Sequence, residues 1–456
     1  MKGKDIEALG IPSGKAVQLA QRKIKAVLGA GLTILDFQEI LKKIALDPET
    51  WKKDILFGDL AHLCFREGSF KERQEPAPWK QWGEDLEPGA IAQMENACRL
   101  PISIAGALMP DAHLGYGLPI GGVLATEGAV IPYAVGMDIA CRMKITVFDF
   151  PVDSFEFAHE DLCKILERET SFGVGAGFQK PHYHSVMSED WGITDITART
   201  KQKAHHQLGS SGSGNHFVEF GVFTLEKEDL GMKPGTYFAL LSHSGSRGPG
   251  SDVATYYSKL AMQLHPELPK ELQHLAWLDL DHAEGQEYWA AMELMGKYAA
   301  ANHDIIHQKI TRALRSHVVG EVENHHNFAW KENHFGREVI VHRKGATPAG
   351  QGDLGVIPGS MASPAYVVRG KGSLEAMNSA SHGAGRVMSR KQAGRDLSWP
   401  EVRRKVEGAG VHLLSAGLDE APDVYKDIDM VMSHQRDLVE IIARFDPRIV
   451  KMSPEK

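Results

Sequence analysis

PDAHLGYGLPIGGVLATEGAVIPYAVGMDIACRM, residues Pro110 to Met143, is the stretch on which the fold turns. It holds the longest apolar run of the chain, Gly117 to Ala140, but that run is broken by glycines, by Pro119 and Pro132, and by Glu127. A membrane helix needs about 20 largely unbroken apolar residues, so the stretch reads as short buried strands separated by turns. The same texture reaches outward from about Ile91 to Gly248 and returns from Asn324 to Ser389. Between them, Ser251 to Val318 is mostly helical in pattern, and AMELMGKYAAANHDIIHQKITRAL has the spacing of one long amphipathic helix. The tail, Asp423 to Ile442, is expected to be helical again. Strand and helix regions without a regular βαβ period predict an α+β fold, with mixed strands and helices around a central pocket, over a doubly wound sheet.

Upstream, Lys15 to Leu28 and Phe37 to Ala45 carry helical apolar spacing, and Lys71 to Gly89 is charged and punctuated by Pro76, Pro78 and Pro88. Residues 1–75 are therefore expected to form a helical N-terminal extension and linker, and residues 76–456 the main domain. No internal repeat is visible, and the first 24 residues show no apolar core of a secretory signal.

The 456 residues carry 51 Lys and Arg against 59 Asp and Glu, a formal net charge of −8, with 43% hydrophobic residues, which excludes disordered and fibrous classes. A negative balance also argues against broad non-specific nucleic-acid binding, which rests on many cation–phosphate contacts. Four cysteines, Cys64, Cys98, Cys141 and Cys163, include no C-x-x-C pair. That excludes a disulfide framework and a zinc knuckle, and it fits a reducing cytoplasm. The 22 His and 46 Gly point to metal ligation and to close approach of backbone to a ligand.

Familiar motifs fail on inspection. Gly10 to Lys15 (GIPSGK) is one residue short of a P-loop, and Ala16 replaces its Ser or Thr. His303-Asp304-Ile-Ile-His307 resembles a zincin helix with Asp for Glu, but no third ligand is evident nearby, so a polar helix face is the better reading. His182, His184, His205 and His206 read as surface or packing histidines.

Five other segments are dense in Gly, His and small polar residues: PDAHLGYGLPIGG, VGMDIACRM, GSSGSGNHFVE, SHSGSRG and NHHNFA. Asp138 and Cys141, three residues apart, can aim a carboxylate and a thiolate at one place. With His216, His243 and one of His325 and His326 they form a mixed oxygen, sulfur and nitrogen shell suited to manganese, zinc or iron(II). A further group lies in VHRKGATPAGQG, IPGSM and SHGAGRVMSR, where Arg343, Lys344, Arg386 and Arg390 stand beside Gly-rich turns whose N–H groups can cradle phosphate. His382, flanked by Ser381 and Gly383, is sterically open to attack phosphorus; the alternative is a helix-start histidine that bonds a carbonyl.

As a set, and in this order, these segments resemble the RtcB family of RNA ligases, over about Pro76 to Met452. The resemblance implies the family's α+β architecture, with a deep pocket holding two Mn2+ ions, and a GTP-dependent reaction joining an RNA 3′-phosphate or 2′,3′-cyclic phosphate to a 5′-hydroxyl in RNA repair or tRNA splicing. It implies that His382 is the guanylylated residue, with Asp111, Arg247 and Lys344 as further active-site positions. Asp138, Cys141 (as bridging thiolate), His216, His243 and His326 would hold the metals, with His325 the alternative to His326. Asn215, Glu219, Asn327, Pro358, Gly359, Ser360, Ala384, Gly385, Tyr425 and Lys451 would contact the nucleotide. Arg386 and Arg390 would meet RNA phosphate. The partners implied are RNA with such broken ends and an accessory activator protein, with no membrane. Three positions depart from the family's pattern: Arg142 replaces Gly, Ser381 replaces Cys, and Pro348 replaces Arg. Arg142, beside the metals, is expected to repel them or to grip a phosphate, and the departures suggest a divergent paralogue. The competing reading is a metal-dependent RNA phosphodiesterase or a nucleotide-binding relative without ligation.

Overall fold

The computed structural model describes residues 1–12, 15–29, 31–64 and 72–454. Two units emerge, Met1–Lys71 and Glu72–Lys456, so the division falls a few residues before the one expected from the sequence. The P-loop-like string includes Ser13 and Gly14, which lie outside the described residues.

In the small unit, the apolar spacing produces the helices Lys15–Gly29 and Ile34–Leu46, joined by a third, Gly58–Cys64. Val27, Phe37, Leu41, Ile44 and Leu60 are buried together, and the Phe37 and Phe57 rings stack at 6.1 Å. Thr33 caps the second helix: its Oγ1 accepts from the Asp36 N–H at 3.2 Å, while the Asp36 carboxylate accepts from the Thr33 N–H at 2.7 Å. Such a reciprocal cap contributes about 1 kcal/mol.

The large unit is built on two main sheets. In an eight-stranded sheet the neighbours run Leu354–Pro358, Ala365–Gly370, Val439–Met452, Phe217–Leu225, Gly235–Ser244, Arg142–Phe148 and Val318–His325, with His412–Ser415 added in parallel to Val439–Met452. A five-stranded sheet orders Trp79–Gln81, Ser103–His113, Ile120–Thr126, Arg337–Lys344 and Asn327–His334. Mixed helices and strands of this kind are the α+β class the sequence pattern predicts. The broken apolar run does fold as strand, turn and a short helix, Ile120–Thr126 followed by Ala129–Val130 and Pro132–Val135. No described helix is long and apolar enough to cross a membrane.

The strand Arg142–Phe148 shows how side-chain alternation distributes function. Met143, Ile145 and Val147 enter an apolar core with Leu241, Phe223 and Phe445. Arg142, Lys144 and Thr146 face the other way, where Lys144 and Thr146 bond to Asp304 and His307 of the helix Ala283–Leu314. On the same helix Ile306 and Ile310 bury against Phe148, Phe238 and Leu240, each large apolar side chain contributing about 1.5–3 kcal/mol.

Two expectations are corrected. The tail is helical only at the 3-10 turn Pro422–Val424 and at Ile428–Ser433, and it becomes the 14-residue strand Val439–Met452. Alternation along Ala443 and Phe445 wins, because both side chains complete the core between the flanking strands, and Pro447 is tolerated where the register shifts between Pro447 and Ile449. The region from Ile91 to Gly248 is not strand and loop alone, since Pro88–Cys98, His159–Glu169 and Asp195–Gln207 are helices.

Candidate active site

Three adjacent strand ends bring the candidate metal-ligating side chains together. Cys141 precedes the strand Arg142–Phe148, and its antiparallel neighbours deliver His243 near the end of Gly235–Ser244 and His326 just after Val318–His325. His216 enters from the loop before Phe217–Leu225. Sγ of Cys141 lies 3.1 Å from Nε2 of His243 and 3.3 Å from Nε2 of His216, and Nε2 of His243 lies 3.3 Å from Nε2 of His326. Asp138 closes the other side, with Oδ2 3.0 Å from Nε2 of His216. The thiol therefore belongs to two groups of three, Asp138/Cys141/His216 and Cys141/His243/His326, whose ligand atoms all lie within 4.8 Å of one another.

The surroundings fix how these groups present themselves. Burial pushes the Cys141 thiol well up, and the Asp138 charge adds to it. Burial holds the imidazoles of His216, His243 and His326 below their usual value, so they are neutral at neutral pH. Nδ1 of His243 donates to the Asn215 carbonyl at 3.1 Å, which leaves the lone pair of Nε2 aimed at Cys141 and His326. Burial alone would raise the Asp138 carboxyl, but His216 and the Arg247 charge outweigh it and hold it low. Its Oδ1 accepts from the Ser246 N–H at 3.0 Å. Gly245 permits this close approach, because a Cβ there would sit 2.3 Å from the carboxylate. Nδ1 of His326 is buried without a partner. A thiol, three imidazoles and a carboxylate turned inward on one point, with an orphaned ring nitrogen among them, are a donor set that a divalent cation completes.

Beside this cluster stands His382, which follows the short strand Ser379–Ser381. Its Nδ1 lies 2.7 Å from Oδ2 of Asp111, and the same oxygen accepts from the backbone N–H groups of His382 at 3.1 Å and Gly383 at 3.3 Å. Asp111 is fully buried; burial would raise its carboxyl, but the imidazole and its hydrogen bond hold it down. Gly385 adopts φ +74° and packs so closely that a Cβ would lie 2.0 Å from the Asp111 carbonyl oxygen. The other side of the imidazole faces the cluster, its ring centroid 5.0 Å from that of His326.

A family model described as tRNA-splicing ligase RtcB matches residues 93–193 and 189–452. The chain belongs to the RtcB family. It is 34% identical over 407 residues to the RNA-splicing ligase RtcB of Escherichia coli K12, covering 81% of this chain and 95% of that protein. The RNA-splicing ligase RtcB of Mycobacterium tuberculosis is 31% identical over 427 residues, 78% of this chain and 98% of its own. The tRNA-splicing ligase RtcB of Thermococcus kodakarensis is 30% identical over 431 residues, 78% and 89%. An RNA ligase role and use of a metal accord with this RtcB membership and with the buried cluster.

Arg142, which the sequence reading set beside the metals, is paired within the protein. It follows Cys141 on an extended strand and so points to the opposite face, where Nη1 lies 2.6 Å from the Glu323 carboxylate and Nη2 3.2 Å from Nδ1 of His325. His325 thus joins Arg142 on that face, whereas His326 lies in the Cys141 cluster. On the same face the His303 and His307 motif forms a hydrogen-bonded network: the Ser242 hydroxyl reaches Nδ1 of His303 and Nε2 of His307, both at 2.8 Å, and Thr146 reaches Nδ1 of His307 at 2.7 Å. Ser381 donates its backbone N–H to Gln435 at 2.9 Å, and Pro348 pairs in register with Ser379.

The remaining RtcB positions distribute unevenly. Arg247 donates to Nδ1 of His216 at 2.9 Å and to the Ser211 carbonyl at 2.6 Å. Lys344 is pushed down to about 7 by burial and donates to the Tyr116 carbonyl. Asn327 ties the two halves of the pocket, donating to the Asp138 carbonyl at 3.2 Å and accepting from the Gly345 N–H at 2.8 Å. Glu219 is buried and its carboxyl is pushed well up by that burial. Pro358 to Ser360 form a turn beside Gly383, held by Ser363. Arg386 and Arg390 are not bare cations: Arg386 pairs with Glu420 at 3.1 Å, and Arg390 with Glu420 at 3.2 Å and Asp419 at 3.5 Å. Tyr425 bonds to the same Glu420 and lies under Arg386. Lys451 caps the helix His159–Glu169 through the Glu167 carbonyl at 3.1 Å. Arg343 is wholly buried in a two-pronged pair with Glu332 at 2.6 and 3.0 Å, so it offers no phosphate cradle. Sequence reasoning passed over Asn302, which accepts from the Gly209 N–H and donates to the Gly245 carbonyl, both at 2.9 Å, joining two ligand loops. A polar residue on the buried face of the long helix is the signal that marks it.

Proposed function

We propose that this protein is a GTP- and manganese-dependent ligase that joins RNA 3′-phosphate or 2′,3′-cyclic phosphate ends to 5′-hydroxyl ends through a guanylylated His382. What carries the reading is the Asp111–His382 pair beside the Cys141 cluster. With Nδ1 engaged by Asp111, the lone pair of His382 resides on Nε2, the atom that would attack the α-phosphorus of GTP. The new bond is P–N, and pyrophosphate leaves. The RNA 3′-phosphate then takes the guanylyl group from His382, and the 5′-hydroxyl attacks that phosphate and releases GMP. A cyclic phosphate first takes up water to open to the 3′-phosphate.

Two Mn2+ ions held by Asp138, Cys141, His216, His243 and His326 would offset charge building on phosphate oxygens. Arg247 and Lys344 orient phosphates, Lys344 gaining a proton as an anion approaches. Asn215, Glu219, Asn327, the Pro358–Ser360 turn, Ala384, Gly385, Tyr425 and Lys451 are proposed to receive the nucleotide, and Arg386 and Arg390 the RNA, by exchanging Glu420 for phosphate. The expected setting is the cytoplasm, with an activator protein as partner.

The deciding experiment incubates the protein with manganese and GTP labelled at the α-phosphate. A covalent, acid-labile adduct that is lost in His382→Ala supports the proposal. Its absence from folded, metal-loaded protein would overturn it.

A further inference from the structure

We propose that His159, Cys163 and His412 form a second metal site, separate from the Cys141 cluster and suited to zinc. Each offers one ligand atom, and those atoms all lie within 4.8 Å of one another. His159 and Cys163 stand four residues apart on the helix His159–Glu169, hence on one face of it. His412 opens the strand His412–Ser415, which pairs in parallel with Val439–Met452.

Distances match what the metal asks for. Sγ of Cys163 lies 3.6 Å from Nε2 of His159, and the His159 and His412 rings meet edge-on at 4.8 Å. Zn–S and Zn–N bonds of ordinary length at a tetrahedral angle place sulfur and nitrogen about 3.6 Å apart. The scaffold fixes this spacing without the ion. On its inner side the helix buries Leu162 and Leu166 in the core that Leu414 of the strand also packs against.

Charge favours a dication. Glu160 and Glu167 act electrostatically on Cys163, and Glu167 and Glu407 act on His412. Two imidazoles and a thiolate are a borderline-soft set that selects zinc over magnesium or calcium. Three protein ligands leave a fourth position, which water or Glu167, one further helical turn along the same face, would fill. Cys163 gives its thiol proton to solvent on binding. The ion would pin the helix to the strand, and the same helix presents its Glu167 carbonyl to Lys451.

The test is cobalt(II) titration of the full-length chain carrying Cys141→Ser, which removes the only thiol of the Cys141 cluster. A near-ultraviolet thiolate-to-cobalt charge-transfer band is expected, lost on adding Cys163→Ser, with cobalt affinity weakened about 10- to 100-fold by His412→Ala. No band in the Cys141→Ser chain, or a band that survives Cys163→Ser, overturns the site. Should Cys141→Ser fail to fold, zinc bound by the native chain and by Cys163→Ser alone is compared by equilibrium dialysis. A deficit of one zinc per chain in the variant is expected, and equal zinc content overturns the proposal.

Discussion

Nδ1 of His382 and Oδ2 of the fully buried Asp111 lie 2.7 Å apart, and that one carboxylate oxygen also takes the backbone N–H groups of His382 and Gly383. Asp111 thereby sets both the tautomer of the imidazole and the direction of its free nitrogen. In Asp111→Ala the ring loses both controls while the metal ligands are untouched. Single-turnover adduct formation is expected to slow roughly 10²- to 10⁴-fold, with bound metal unchanged. Wild-type adduct rates in this variant would refute the role given to the pair.

Metal affinity should depend on pH through Cys141. Burial and the Asp138 charge push its thiol up, whereas His216, His243 and His326 are held low and need lose no charge to bind. The metal-free site thus carries the thiol proton throughout the neutral range, and binding must expel it. Affinity should rise about tenfold for each unit of pH between 6 and 8. Isothermal titration of manganese at several pH values measures this, and a flat profile contradicts thiolate ligation.

The loops that meet at the Cys141 cluster were legible from the sequence because their demands are local: Gly-rich turns, each carrying a His, Cys or Asp with little bulk around it. The pairing of charges was not. Arg142 and Cys141 are neighbours in sequence, yet strand alternation sends one to Glu323 and the other to the cluster. Arg343 meets Glu332 across a hairpin whose register the sequence leaves open, and Arg386 and Arg390 meet Glu420 from about 30 residues away. The tail misled for a related reason. Its strand is stabilised by flanking strands about 70 residues or more upstream, so a helix-like apolar spacing lost to tertiary pairing.

Replacing Arg142 by glycine should affect stability more than metal content. Arg142 is nearly buried and paired with Glu323 at 2.6 Å, so Arg142→Gly leaves that carboxylate to Lys144, 3.4 Å away. The cost is expected near 2–3 kcal/mol, below the 3–5 kcal/mol of a fully buried pair because Glu323 is part-exposed and Lys144 compensates. Chemical denaturation reads the loss, and dialysis against manganese should show unaltered occupancy. A drop in metal content without a drop in stability would return Arg142 to the metal site.

Gly245 tests the packing of the carboxylate ligand. A methyl group there would lie 2.3 Å from the Asp138 oxygens, too close for either to stay. Gly245→Ala should displace Asp138 and lower metal affinity by about tenfold or more, while overpacking costs roughly 1–3 kcal/mol of stability. Native affinity in a folded variant would show that Asp138 does not ligate.

The buried Arg343–Glu332 pair should make the fold acid-sensitive. Burial alone would raise the Glu332 carboxyl, but the hydrogen bonds and charge of Arg343, aided by His334, bring it below its usual 4.5. A carboxyl whose folded value is depressed stabilises the fold fully above its unfolded value and loses that contribution as pH falls through the folded one. Glu332→Gln should therefore lower the melting temperature at pH 7, and the gap to the wild type should close as pH falls from about 5 towards 3. A gap that stays constant over this range would mean that Glu332 acts through shape and not through charge.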